Sequence, residues 1–258
     1  MPIDLREELN KLRGMYTEDI AQGTFNALVM GEVGVGKTCL LETCRAPIVI
    51  DSFDPGGPTN LGASLAGGRV IVDSRYESED RKSARAYQAW DSEFQRRRTS
   101  GFFDNVGTYC IDSLTTFVQA MMNYMQKNNS SIKDMRQIYQ LAGNGLIDVV
   151  KLCTALPCDF VMTAHLSKES NEISGTTNYT LQSFPMMQSN LPILFSEIYA
   201  LRNRATAKGI EREMITANDG SYQCRTRMGR GVFSGVEKPD FKYLLAKAGK
   251  PAEDKPQA

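Results

Sequence analysis

The segment Gly31-Glu32-Val33-Gly34-Val35-Gly36-Lys37-Thr38 follows the spacing G-x-x-x-x-G-K-[ST]. Glycines at those intervals let successive backbone N–H groups turn inward on phosphate oxygens. A helix starting directly afterwards aims its positive end at the same anion. Lys37 is placed to bridge the β- and γ-phosphates of ATP, and the Thr38 hydroxyl to ligate Mg²⁺. Cys39 closes the expected cofactor-binding run that begins at Gly31. A chance match to the pattern in a chain of this composition has a probability of about 1%. The motif also lies between an apolar stretch and a helix start, the strand–loop–helix setting this chemistry needs.

Phosphate-loop chemistry requires a carboxylate at the tip of a neighbouring strand to hold the metal and its water. Asp112, ending Thr108-Tyr109-Cys110-Ile111 and followed by Ser113, is the candidate, with Asp73 after Val70-Ile71-Val72 as its rival. Either could instead cap the next helix. For the base that orients the attacking water, Asp51 and Asp54 follow the second strand. The Asp54-Pro55-Gly56-Gly57 run can equally be plain turn chemistry. His165, the only histidine, ends an apolar strand where such sheets meet their nucleotide, and is read as a γ-phosphate sensor.

Residues 201–231 hold seven basic side chains against three acidic ones. Two readings stand: a solvated sheet edge, or Arg225 and Arg227 as fingers reaching a neighbouring subunit's γ-phosphate. The polar segment 166–192 offers Lys168, Tyr179 and Phe184, with Met186 and Met187, for stacking and phosphate contact with single-stranded nucleic acid. A lid or packed loop is the other reading of that segment.

The elements that must position these groups alternate. Apolar strands are expected at 25–30, 46–51, 69–73, 108–112 and 159–165, with further strands at 197–202, 212–216 and 222–227. Helices are expected at 4–20, where Leu5, Leu9, Leu12 and Ile20 form one stripe, and at 114–126 and 133–154. A polar surface helix is expected over 78–98. Strands separated by helices imply an α/β fold, a mostly parallel central sheet with helices on both faces.

Composition removes several classes. The chain has 258 residues, 41% hydrophobic and 23% charged, with zero formal net charge, which excludes disorder, collagen and coiled coil. No apolar run reaches membrane-spanning length, and the N-terminal MPIDLREELNKLR lacks an apolar secretion core. Six scattered cysteines and one histidine leave too few clustered ligands for zinc, and Cys110 and Cys153 read as core residues. A cytoplasmic location with reduced thiols is expected.

The phosphate loop, the Tyr-Cys-Ile-Asp-Ser strand, the Val-Met-Thr-Ala-His strand and the Arg-Thr-Arg-Met-Gly segment occur in that order. In this the chain resembles RecA-like P-loop ATPases, and more narrowly the compact bacteriophage Sak-four type that assists recombination and annealing. The resemblance runs from about Phe25 to Ser234. It implies a Mg²⁺-dependent ATPase with Lys37, Asp54, Asp112, His165, Arg225 and Arg227 catalytic, and Thr38 and Asp112 at the metal. It also implies single-stranded DNA at the loop after His165. The implied partners are a homo-oligomer with nucleotide at the subunit interface and a single-strand-binding protein. The corresponding division is an N-terminal helical segment (1–22), the ATPase domain (23–245) and a flexible C-terminal tail (246–258).

Overall fold

The computed structural model describes residues 4–21, 23–170, 177–207 and 209–256, with the side chains of 15–21 left aside. The elements are α1 (Leu5–Ala21), β1 (Asn26–Gly31), α2 (Lys37–Leu41), β2 (Ile48–Ser52), α3 (Gly62–Ala66), β3 (Val70–Asp73) and α4 (Ala86–Thr99). They continue through β4 (Thr108–Asp112), α5 (Leu114–Asn128), α6 (Met135–Thr154), β5 (Asp159–Ser170), β6 (Thr177–Leu181) and α7 (Pro185–Asn190). The chain finishes with β7 (Glu197–Thr206), β8 (Gly209–Ile215), β9 (Val236–Glu237) and α8 (Phe241–Lys247).

The sheet runs β3-β2-β4-β5-β1-β7-β8-β9, with β6 paired to β5. From β3 to β7 every pairing is parallel, while β8, β9 and β6 are added antiparallel. The expected α/β architecture is therefore the observed one. Successive strand residues point to opposite faces, and each face has its own apolar core. Leu28 and Met30 of β1 join Tyr109, Phe160 and Met162 against Trp90, Phe117 and Leu146 of the long helices. Ala27 and Val29 join Ile50, Cys110 and Val161 against Leu41, Phe241 and Leu244 on the other side. Burial on both faces explains why these strands read as unbroken apolar runs. Strand β5 lies between β1 and β4, so the phosphate loop and the Asp112 tip open onto one edge with His165 between them.

Five expectations change. The 78–98 helix begins only at Ala86, because Asp80 caps a separate short turn through the Lys82 N–H. Its inner face is not polar: Trp90 and Phe94 are fully buried and stack at 5.0 Å. The strand expected at 222–227 is absent, reduced to isolated bridges at Tyr222 and Arg225. The stretch 166–192 is largely structured, since β5 continues past His165 into a hairpin with β6, and α7 follows; residues 171–176 lie outside the described residues. The tail expected to be flexible is tethered: Asp254 accepts from the Ala46 N–H at 2.7 Å and pairs with Arg69 and Lys242 at 2.5 and 2.8 Å. On α1 the expected stripe does not pack on the body, with Leu5, Leu9 and Leu12 all exposed, while the Ile20 side chain lies outside the described residues.

Candidate active site

Strand β1 delivers the chain into a loop that only glycine can complete at two points. Gly34 and Gly36 have φ of 77° and 95°, a left-handed region that side-chain-bearing residues avoid. A side chain at Gly31 would collide with Val35 Cγ1 at 2.7 Å, so the first glycine is needed for close packing. Helix α2 starts at Lys37. The resulting cleft is lined by the loop, Lys37, Thr38, Cys39, Asp54, Asp112 and His165.

Lys37 is buried. Its ammonium donates to the Gly31 and Glu32 carbonyls at 2.9 and 3.0 Å and to His165 Nδ1 at 3.2 Å. Because a lysine ammonium can only donate, Nδ1 accepts and the neutral ring carries its proton on Nε2. That nitrogen faces Asp54 Oδ2 at 3.4 Å. Burial lowers the Lys37 pKa, with Asp112 and Asp54 acting in the opposite sense.

Asp112 is almost completely buried at the tip of β4. Its Oδ2 accepts from Thr38 Oγ1 at 2.7 Å and its Oδ1 from Thr163 Oγ1. Burial raises its pKa despite those two hydroxyls. An all-oxygen pair of threonine hydroxyl and carboxylate suits Mg²⁺, which keeps several waters and takes only one or two protein oxygens. A carboxylate whose folded pKa is raised opposes folding once pH exceeds its unfolded value. Asp112→Asn is therefore expected to raise rather than lower Tm at pH 7, while removing Mg²⁺-dependent turnover. Parallel thermal melts and ATPase assays check both halves.

Asp54 both shapes the turn and lines the cleft. Its carbonyl accepts from the Gly57 N–H at 3.0 Å, forming the turn, and its side chain enters the cleft. Oδ1 accepts from Ser113 Oγ at 2.9 Å and Thr116 Oγ1 at 2.5 Å. Burial would raise its pKa, but hydrogen bonds from His165, Thr116 and Ser113 prevail and lower it. The loop is tied to the end of β4 because the Phe53 N–H donates to the Asp112 carbonyl at 2.6 Å. The rival acids stand elsewhere. Asp51 is buried among Trp90 Nε1, Tyr109 OH and Arg97, at 3.0, 2.6 and 2.8 Å. Asp73 is held by Arg75, Arg97 and Tyr76. Neither lines the cleft.

The two expected finger arginines part company. The Arg225 guanidinium donates to the carbonyls of Pro192, Ile193 and Phe195 at 3.0, 3.2 and 2.6 Å. It secures the segment before β7 and is not available as a finger. Arg227 is exposed and, among the described residues, anchored only through its backbone N–H to Glu197 at 3.2 Å. Of the expected DNA-contacting residues, Lys168 and Tyr179 face each other across the β5–β6 hairpin, with Lys168 exposed. Tyr179 stacks on Tyr222 at 4.5 Å, so one ring face is covered. Phe184 is half-buried against Tyr139 and belongs to the packed surface of α6 and α7 rather than to the hairpin.

Sequence reasoning missed Thr163, Ser113 and Thr116 as carboxylate partners, and Arg212 as a lining residue. Thr163 had a readable signal, a hydroxyl inside an apolar strand two residues before His165 and hence on the same face. Arg212 had none, because it reaches the loop through the register of β7 with β8.

The AAA domain family model AAA_24 matches residues 25–228, from the start of β1 to just beyond Arg227. The chain belongs to the AAA domain family. As a member it is a P-loop ATPase, and the match spans Lys37, Thr38, Asp54, Asp112 and His165. No curated protein matches the chain. Among solved structures, a KaiC-like protein of Pyrococcus horikoshii is similar at 11% identity and a TM-score of 0.41, over 74% of this chain and 77% of that one. Among the described residues of this AAA-family chain, no helix is long and apolar enough to cross a membrane, and no three His, Cys, Asp or Glu side chains cluster to hold a metal.

Proposed function

We propose that the protein is a Mg²⁺-dependent ATP hydrolase that assembles head-to-tail on single-stranded DNA and supports phage-type recombination or annealing. The observation that carries the hydrolytic part is the continuous chain Asp54–His165–Lys37 beside the Thr38–Asp112 pair in one cleft. Lys37 and the loop N–H groups bind the β- and γ-phosphates. Thr38 and Asp112 hold the metal, which when bound neutralises charge developing on the phosphate oxygens. Asp54, aligned by Ser113, Thr116 and His165, orients the attacking water and accepts its proton.

The DNA part is supported by continuity: β5 carries His165 and, three residues later, Lys168, which faces Tyr179 across the hairpin. A γ-phosphate that displaces the Lys37–His165 contact would act on the strand that bears the DNA-contacting side chains. Arg227, exposed at the far side of β7, is the residue left to serve a neighbour's nucleotide. The resemblance to Sak-four-type ATPases supports the recombination role and a bacterial cytoplasmic setting.

A second reading, a nucleotide-gated assembly factor with a protein partner and slow turnover, is favoured by the apolar groove of Tyr139, Phe184, Pro185 and Met186. Steady-state ATP hydrolysis with Mg²⁺, with and without single-stranded DNA, decides between them. Strong stimulation supports the first reading, and a flat, low rate with tight ATP binding supports the second. Under the first reading, Arg227→Ala retains ATP binding and loses the DNA-stimulated part of the rate; retained stimulation would sink the finger assignment.

A further inference from the structure

The phosphate loop is covered from within the same chain by a side chain that belongs to neither the loop nor the metal-side strands. A Cβ placed on Gly36 would lie 2.8 Å from Arg212 Cζ and Nη1 and 3.1 Å from Nε, so the guanidinium rests against the loop glycine. Arg212 also lines the cleft shared by Lys37, Asp54 and Asp112.

Its position follows from strand register. Antiparallel pairing sets Arg202 opposite Glu213 and Asn203 opposite Arg212. Neighbouring residues of a strand point to opposite faces. On one face Glu213 is fully engaged, pairing with Arg202 at 2.8 Å and Arg204 at 3.1 Å. On the other, Arg212 makes no hydrogen bond or ion pair among the described residues. An arginine keeps its charge under all ordinary conditions, so the cleft holds a second fixed cation with no acid of its own.

The charge balance gives that cation a task. Lys37 alone faces two carboxylates, Asp54 and Asp112, which leaves the cleft net negative where a polyphosphate must bind. With Arg212 the two signs are equal before any metal arrives. A guanidinium also suits phosphate by geometry, because its donors form a planar fork that matches two oxygens at once. The side of the loop it covers is that of Gly36, whereas Lys37 reaches toward Gly31, Glu32 and His165.

We propose that Arg212 is a phosphate-binding residue supplied in cis, gripping the diphosphate portion of the nucleotide from the β8 side while Lys37 bridges the β- and γ-phosphates. The inference rests on the ATPase reading of the cleft. Binding without a terminal phosphate then depends on Arg212, so ADP affinity is set by β8 as well as by the loop. A hairpin shift that withdraws Arg212 would release ADP without unfolding the loop.

The test is equilibrium binding of ADP and of inorganic tripolyphosphate, by calorimetry, to the wild-type chain and to Arg212→Ala and Arg212→Lys, with melting temperatures in parallel. A charge-assisted hydrogen bond contributes about 1.5–3 kcal/mol, so Arg212→Ala should weaken both ligands about 10–100-fold. Arg212→Lys should recover part of that loss, and Tm should not change. Unchanged affinity in Arg212→Ala overturns the assignment. Weakened ADP binding with unchanged tripolyphosphate binding also overturns it, because the guanidinium would then be stacking on the base. If the wild-type chain binds neither ligand, the nucleotide reading itself falls, an outcome distinct from failure of Arg212 alone.

Discussion

Asp54→Asn is expected to lower kcat for ATP about 10²–10⁴-fold while leaving the nucleotide Kd within about threefold. The amide keeps the size of the side chain and can still accept from Ser113 and Thr116, but it cannot take a proton from water. Single-turnover hydrolysis with parallel binding separates the two effects. A kcat near wild type would move the base elsewhere. The pH dependence follows from the lowered pKa of Asp54, which burial alone would have raised and which the hydrogen bonds from His165, Thr116 and Ser113 bring down. Its basic form therefore persists below the usual carboxylate range near 3.9. The rate should stay flat on the acid side to about pH 5, and a loss beginning at pH 6–7 would point to a different base. The same sign governs stability: a carboxylate with a depressed folded pKa supports the fold above its unfolded pKa, and that support is lost as pH falls through the folded value.

Lys37→Ala should remove turnover by at least about 10³-fold, a combined loss of phosphate grip and transition-state charge. It should also weaken ATP binding about 10–100-fold, since one charge-assisted bond disappears. The fold should survive, because the ammonium is desolvated where it sits and its loss opens no large apolar cavity. The change has a second consequence at His165. Without the Lys37 donor at 3.2 Å, Nδ1 no longer has to accept, and the tautomer that points Nε2–H at Asp54 is no longer enforced. Nitrogen-15 chemical shifts of the single histidine report this directly. A variant with unaltered histidine shifts would separate the lysine from the sensor.

The parts of the site that were legible in the sequence are those tied to local chain geometry. The loop was legible because positive φ at Gly34 and Gly36 and close packing at Gly31 demand glycine at fixed intervals. Asp112 was legible because a strand buried on both faces is apolar until it ends, and His165 because it stands where β5 leaves the main sheet, although the strand itself runs on to Ser170. Asp54 was half-legible: its turn was plain, but that the side chain enters the cleft depends on the tie between Phe53 N–H and the Asp112 carbonyl. Arg212 and Arg225 could not be sorted from one sequence. Both sit among basic residues of like spacing, and only register and packing show that one reaches Gly36 while the other is consumed by three carbonyls. The tail misled for a similar reason. Its composition is that of a solvated end, and the cations that hold Asp254 come from residues 69 and 242.

Strand β5 runs unbroken from Asp159 to Ser170, and its sequence DFVMTAHLSKES contains neither glycine nor proline. At about 3.3 Å per residue that is a rod of roughly 36 Å. Its first half is clamped between β1 and β4, and its second half leaves the main sheet to pair with β6 alone. Mechanically this is a cantilever with its fulcrum at His165. A strand resists stretching far more than bending, so a small tilt at the clamp is magnified along the free arm. The five residue steps from His165 to Ser170 span about 16 Å, and a tilt of a few degrees at the nucleotide end displaces the far end by about an ångström with no hinge along the way.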